Sequence, residues 1–321
     1  MMTAHGFIAL IATAAAAFAA PATANAQETT TMDAPTKAAP APKKTGHVAV
    51  NGVDYYYEIR GEGEPLLLLH GGLGTMDMFQ PLMPIFADGR EVITVDLQGH
   101  GRSTLGDRPI SLIDMGDDMA AVLKEIGYGP VDALGYSLGG GVALRLAVQH
   151  PDAVRRLVLV STPFAQDGFY PEMLPQQAAV GADLMPMMKD TPMYQSYVAV
   201  APHPEDFPKL LDAMGALMRQ PYDWADDVKT LKMPVELIYG DGDMFTLEHV
   251  TRFYHLLGGA RQDAGWNREH MAGNRLAILP DVTHYEMFGV PLMARTAMRF
   301  LNGVSGQLTW MEQVQESQQG K

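Results

Sequence analysis

From Val48 onward, short apolar runs alternate with longer stretches that carry apolar residues on one helical face. Strands are predicted at Val48–Val50, Val53–Arg60, Leu66–His70, Val92–Val95, Val131–Leu134, Leu157–Val160, Val235–Tyr239 and Ala277–Leu279. The last six are unbroken apolar runs, the pattern of strands covered on both faces. Helices are predicted at Ser111–Ile126, Leu138–Gln149, Leu247–Leu257 and Pro291–Leu301. This alternation predicts an α/β fold whose sheet is mostly parallel and has helices on both faces. Asn51-Gly52, between the first two strands, is a two-residue hairpin signal, so the sheet is expected to begin with an antiparallel edge.

The rhythm breaks between Ser161 and Lys232. This Pro- and Met-rich stretch contains Met173, Met185, Met187, Met188, Met193, Met214 and Met218, and is read as a cap inserted at about 162–232. Methionine fills irregular gaps, so these side chains serve either cap packing or an adaptable apolar wall over a substrate. A second irregular insert, 258–274, is polar and Gly-rich, and reads either as another rim loop or as surface decoration.

Composition narrows the picture. A chain of 321 residues with 47% apolar content suits one α/β domain, placed at 47–304, with an inserted cap. The formal charge of -14 and the lack of Lys/Arg-rich clusters argue against nucleic-acid or anionic-membrane partners, which require basic patches. There is no cysteine, hence no thiol nucleophile or disulfide framework. At the N-terminus an apolar segment, Phe7–Ala20, is followed by Pro21 and then Ala24-Asn25-Ala26, an A-x-A cleavage pattern. Residues 1–26 are therefore expected to be a signal peptide cut before Gln27, which predicts a periplasmic or secreted protein. The usual Lys or Arg near the start is missing, but the apolar segment falls short of the ~20 residues needed to span a bilayer. Residues 27–46 read as a flexible linker and 305–321 as a polar C-terminal tail.

The chemistry centres on Gly135-Tyr136-Ser137-Leu138-Gly139-Gly140, which follows an apolar strand and opens a helix. This is the G-x-S-x-G nucleophile elbow in the strand-turn-helix setting it requires, and it nominates Ser137 as nucleophile. Such a serine needs a base, a carboxylate to orient the base, and donors for the oxyanion. In the α/β-hydrolase arrangement, which the elbow resembles, the chain order is Ser, acid, His, so the base is sought among His249, His255, His270 and His284. His284, just past the last strand, is chosen. The strand Val235–Tyr239 runs into Gly240-Asp241-Gly242-Asp243, where Asp241 reads as the turn-former and Asp243 as the acid. Oxyanion donors are expected from the N–H groups of Leu138, at the helix start, and Gly72, in His70-Gly71-Gly72-Leu73-Gly74, with Leu73 as the alternative to Gly72. His70 reads as a loop brace. The turn Asp96–Ser103 reads as structural, with a substrate contact by His100 as the alternative.

Taken together, His70-Gly71-Gly72, Asp96-x-x-Gly99-x-Gly101-x-Ser103, Gly135-x-Ser137-x-Gly139-Gly140, Gly240-x-x-Asp243 and His284 resemble the ordered motifs of the α/β-hydrolase superfamily over about residues 48–302. The likeness extends to its serine esterases of the pimeloyl-carrier-protein methyl ester kind and their haloperoxidase-like branch. It implies an eight-stranded sheet in the order 1-2-4-3-5-6-7-8, a cap after strand six, and Ser137, Asp243 and His284 as a triad. Gln98 stands where many relatives have Arg, which puts the bracing of that loop in question. The 258–274 insert does the same for the shape of the pocket entrance.

The sequence thus predicts a cofactor-free, metal-independent serine hydrolase acting on a small-molecule carboxylic ester with a small or medium apolar group. Perhydrolase or haloperoxidase-like chemistry and C–C bond hydrolysis on the same triad are the rivals within the superfamily. A non-catalytic ligand-binding module is the rival outside it, disfavoured because a binder does not need all three triad residues.

Overall fold

The computed structural model describes residues 38–303 and 308–319. The expected signal peptide, and most of the expected linker, lie outside the described residues. Eight strands form one sheet: β1 (Pro42–Val50), β2 (Val53–Gly61), β3 (Glu64–Leu69), β4 (Arg90–Val95), β5 (Val131–Tyr136), β6 (Val154–Val160), β7 (Val235–Gly242) and β8 (Arg275–Thr283). Their spatial order is β1-β2-β4-β3-β5-β6-β7-β8, the one implied by the resemblance. β2 runs antiparallel to both its neighbours and every later pairing is parallel.

The Asn51-Gly52 turn closes the first hairpin with Val50 opposite Val53. Both turn residues have positive φ, 48° and 82°, as a tight turn matched to the strand twist demands. β1 starts earlier than its apolar pattern suggested. Its first residues, Pro42 to Gly46, are mainly exposed and are held by pairing with β2, so hydrophobicity carries no trace of them and the linker reading fails for 42–46.

The longer helices are α1 (Leu112–Glu125), α2 (Leu138–Gln149), α3 (Pro192–Val200), α4 (Phe207–Met218), α5 (Leu247–Leu256), α6 (Pro291–Leu301) and α7 (Trp310–Gln319). Alternate β3 residues point to opposite faces. Leu67 and Leu69 join the core under α1, α2 and α5, whereas Leu66 and Leu68 join the one under α6. All four leucines are fully buried. The central strands therefore have the double cover that their apolar runs predicted. β8 does not: as an edge strand it leaves Ile278 41% exposed.

Between β6 and β7 the chain folds into short helical pieces together with α3 and α4. α4 directs Phe207, Leu210, Leu211 and Met214, one face at helical spacing, into the core. Part of the expected polar tail forms α7, whose Trp310 ring lies 5.2 Å from that of Trp266 in the 258–274 insert. Among the described residues no helix is long and apolar enough to cross a membrane.

Candidate active site

Ser137 sits at the tight junction of β5 and α2 with φ 54° and ψ -115°, a conformation that side-chain-bearing residues rarely adopt. Two contacts enforce it. The Ser137 N–H donates to the Val160 carbonyl at 2.9 Å, and its own carbonyl accepts the first helical bond from Gly141 at 3.0 Å. The flanking glycines leave no alternative: a Cβ on Gly135 would lie 2.2 Å from the Gly139 carbonyl oxygen, and one on Gly139 2.3 Å from that of Leu69. The strand-to-helix reversal is thus packed backbone on backbone, and the hydroxyl is held away from it.

That hydroxyl meets His284. The Oγ of Ser137 lies 3.1 Å from His284 Nε2, and His284 Nδ1 lies 2.9 Å from Asp243 Oδ1. Three residues spread along the chain, the outer two 147 positions apart, converge because β5, β7 and β8 all end on the same side of the sheet. A carboxylate only accepts, so Nδ1 carries the imidazole proton and Nε2 turns its lone pair to the serine. Burial pushes the Asp243 carboxyl up, but the hydrogen bond and charge of His284, with further donors from Ser161 and Met244, outweigh it and hold the group below its ordinary range. Asp243 is therefore an anion at neutral pH.

Asp241, two residues earlier, is exposed and accepts from the Val282 N–H at 3.3 Å, the role of a turn-former. The other candidate histidines are elsewhere. His249 stacks on Phe164, His255 faces the Gly259 carbonyl at 3.3 Å, and His270 is an exposed residue of the insert. That insert is anchored far from the site. Asn274 at its end binds the Val235 N–H at the start of β7, the end of the sheet opposite to Asp243 and His284, so it does not shape a pocket entrance beside them.

The Gly-rich turn after β3 faces the elbow. A Cβ on Gly72 would lie 3.7 Å from Leu138 Cβ, which puts the two expected donor residues side by side. Neither the Gly72 nor the Leu138 N–H has a protein acceptor among the described residues. Leu73 has φ 57°, so the chain turns sharply just beyond Gly72.

This turn is braced from beneath. His70, fully buried, accepts the Leu97 N–H on Nε2 at 3.0 Å and donates from Nδ1 to the Gly71 carbonyl at 2.8 Å. Desolvation pulls its pKa down to about 4, which keeps it neutral and able to do both. Asp96 accepts the Met76 and Arg102 N–H groups, each at 2.8 Å, tying the two turns together. Gln98 donates to the carbonyls of Leu105 and Arg108, so the loop stays braced without the arginine. His100 is fully buried and bonds the Gln98 carbonyl, which favours a structural part over a substrate contact.

Sequence reasoning missed two residues. The Tyr136 hydroxyl donates to the His284 carbonyl at 2.6 Å, fixing the main chain that presents the imidazole. Ser161 donates to Asp243 Oδ2 at 2.5 Å. The signal for Ser161 was its place: a small polar residue just past β6, the strand adjacent to the one that carries the acid.

The family model described as "alpha/beta hydrolase fold" matches residues 64–194, which hold β3 to β6, the elbow and part of the cap. Similar curated proteins include a putative carbamate hydrolase RutD from Azorhizobium caulinodans, 37% identical over 116 residues, 36% of this chain and 44% of the relative. A pimeloyl-[acyl-carrier protein] methyl ester esterase from Neisseria meningitidis is 43% identical over 110 residues, 33% of this chain and 40% of the relative. In both cases the alignment spans less than half the relative's own length. Among solved structures, a hydrolase from Pseudomonas aeruginosa superposes with a TM-score of 0.60 at 21% identity, covering 81% of this chain and 98% of that one. The likeness in sequence is concentrated in residues 64–194, the segment that builds the elbow, and the chain has the α/β-hydrolase fold.

Proposed function

We propose that the protein is a serine hydrolase that cleaves a carboxylic ester through an acyl-enzyme. The observation that carries this reading is the unbroken contact chain from Ser137 Oγ through both ring nitrogens of His284 to Asp243. As Oγ attacks the ester carbonyl, Nε2 takes its proton, and Asp243 stabilises the imidazolium that forms. The N–H groups of Gly72 and Leu138 hold the oxyanion, and the imidazolium returns the proton to the departing alkoxide. Water then repeats the cycle on the acyl-enzyme. No step calls for a cofactor.

The substrate proposed is a small molecule with a small or medium apolar group. Support comes from α4, whose Met214 methyl lies 3.1 Å from where a Cβ on Gly72 would be, so an adaptable apolar side chain packs beside Gly72. The two relatives named above are described as acting on a carbamate and on a methyl ester, both acyl carbonyl compounds. The proposed location is the periplasm or the exterior, after cleavage behind Ala26.

A fluorophosphonate probe and a series of aryl esters of rising acyl length test the reading. Labelling of the wild type but not of Ser137→Ala is expected, with turnover greatest on short or medium acyl chains. Equal labelling of both proteins would overturn the assigned nucleophile. A mature N-terminus other than Gln27 in exported protein would overturn the cleavage site.

A further inference from the structure

We infer that Ser161 is a positioning residue for the reaction: its hydroxyl holds the second oxygen of Asp243 and so sets the angle at which the first oxygen meets His284. This rests on the triad reading above and adds a fourth side chain to it.

Four donors surround the Asp243 carboxylate, two to each oxygen. Oδ1 takes His284 Nδ1–H at 2.9 Å and the Met244 N–H at 2.8 Å. Oδ2 takes the Ser161 hydroxyl at 2.5 Å and the Gly240 N–H at 3.4 Å. The Gly240 bond is long, so Ser161 is the one close contact on Oδ2, and with the two bonds on Oδ1 it fixes the carboxylate about its Cβ–Cγ bond. A terminal sp²–sp³ torsion of this kind is intrinsically broad and needs such a stop.

The backbone at Ser161 argues for the same role. φ is 49°, in the left-handed region, and the N–H is spent on the Ile238 carbonyl at 2.8 Å, so the strain is clamped by the sheet itself. Val160 pairs with Ile238 in the parallel register of β6 and β7. Ser161, the residue just after β6, is thereby brought beside the Gly240–Asp243 turn, and its left-handed backbone aims the side chain at Asp243. Ser161 is fully buried and its hydroxyl is spent on Asp243, so it acts through that carboxylate.

The test compares the wild type with Ser161→Gly, which removes the hydroxyl but tolerates the positive φ, and with Ser161→Cys, nearly isosteric and a weaker donor. Three quantities are read: the rate of fluorophosphonate labelling, kcat and KM on an aryl ester, and the pH profile of kcat/KM. For Ser161→Gly, kcat and the labelling rate are expected to fall about tenfold to a hundredfold, the size of one charge-assisted hydrogen bond, with KM unchanged. A carboxylate with one donor fewer holds a proton more firmly, so the acid limb of the profile is expected to move to higher pH. Ser161→Cys should fall between. Wild-type protein that does not label overturns the serine-hydrolase reading itself. Wild-type protein that labels, beside a folded Ser161→Gly with the same kcat and pH profile, overturns the role of Ser161 alone. A loss in KM with kcat preserved does so too.

Discussion

Two buried histidines, His284 just after β8 and His249 on α5, sit beside carboxylates, and what differs between them is what each ring faces with its second nitrogen. His284 meets a nearly fully buried Asp243 at 2.9 Å on one side and the Ser137 hydroxyl at 3.1 Å on the other. His249 meets Asp167, a carboxylate 62% exposed, at 3.5 Å, and accepts the Phe164 N–H on Nε2 at 3.2 Å. The first ring is left with a lone pair facing an exchangeable proton. The second has spent its lone pair on the main chain and lies flat on Phe164, 4.1 Å away and 13° from parallel, in a slot that a Cβ on Gly168 would fill. A histidine next to an aspartate is therefore a relay or a rivet, depending on the third partner.

The largest effect should separate the two. Ser137→Ala or His284→Ala is expected to lower kcat by roughly 10⁴-fold or more while the fold survives, as when a triad member is removed elsewhere. His249→Gln should leave kcat within a few fold. Ester turnover of the three purified variants, with circular dichroism to confirm folding, checks this, and a collapse of activity in His249→Gln alone would reverse the assignment.

The carboxylates divide in the same way. Asp243→Asn should cost nearly as much, because an amide in that place lets the imidazole settle in the wrong tautomer. Asp241→Asn, at an exposed turn, should leave turnover near wild type. If Asp241→Asn proves the damaging change, the acid has been placed on the wrong residue.

The contrast also predicts an acid-sensitive fold. Burial depresses the pKa of His249 to about 4, against the ordinary 6.5, so the folded protein keeps it neutral where the unfolded chain would bind a proton. Its contribution to stability is complete above pH 6.5 and is lost as pH falls toward 4, by up to about 3 kcal/mol. His70 and His100, depressed by burial to about 4 and about 3, act in the same sense. Asp96, raised by burial to about 6, opposes them below that pH. Urea unfolding at pH 7 and pH 5 should show wild type losing more stability than His249→Gln. Equal losses would mean that His249 titrates normally.

How much of this was legible in the sequence follows from how far apart the partners lie. The Asn51-Gly52 turn and the elbow are local, written in a few consecutive residues whose backbone needs are specific. Ser137, Asp243 and His284 were nominated because chain order and strand ends constrain each of them singly. Tyr136 and Ser161 were not, since their partners are 148 and 82 residues away and their types are common in such places. β1 begins in exposed residues held by ladder bonds alone, which no hydrophobic pattern records. The far position of the 258–274 insert was in principle readable, because a helix-to-strand connection in a parallel sheet returns to the end where strands start.

The smallest effect concerns how each ring is anchored. His284 lies in the segment after β8 and has no helix to hold it, so its main chain depends on the Tyr136 hydroxyl. His249 lies in the first turn of α5, where the Thr246 side chain caps its N–H and the helix fixes its position. Tyr136→Phe keeps the ring that packs against His284, at 5.3 Å between centroids, and deletes only the donor. One neutral hydrogen bond is worth about 0.5–1.5 kcal/mol, so kcat should fall by a few fold to about tenfold with KM nearly constant. Thr246→Ala, by contrast, should lower stability by about 1 kcal/mol and leave kcat alone. Steady-state kinetics and urea unfolding of the two variants separate the outcomes: a Tyr136→Phe protein with full kcat would show that packing alone presents the imidazole, because that variant keeps the ring contacts with His284 and Phe288 and loses only the donor.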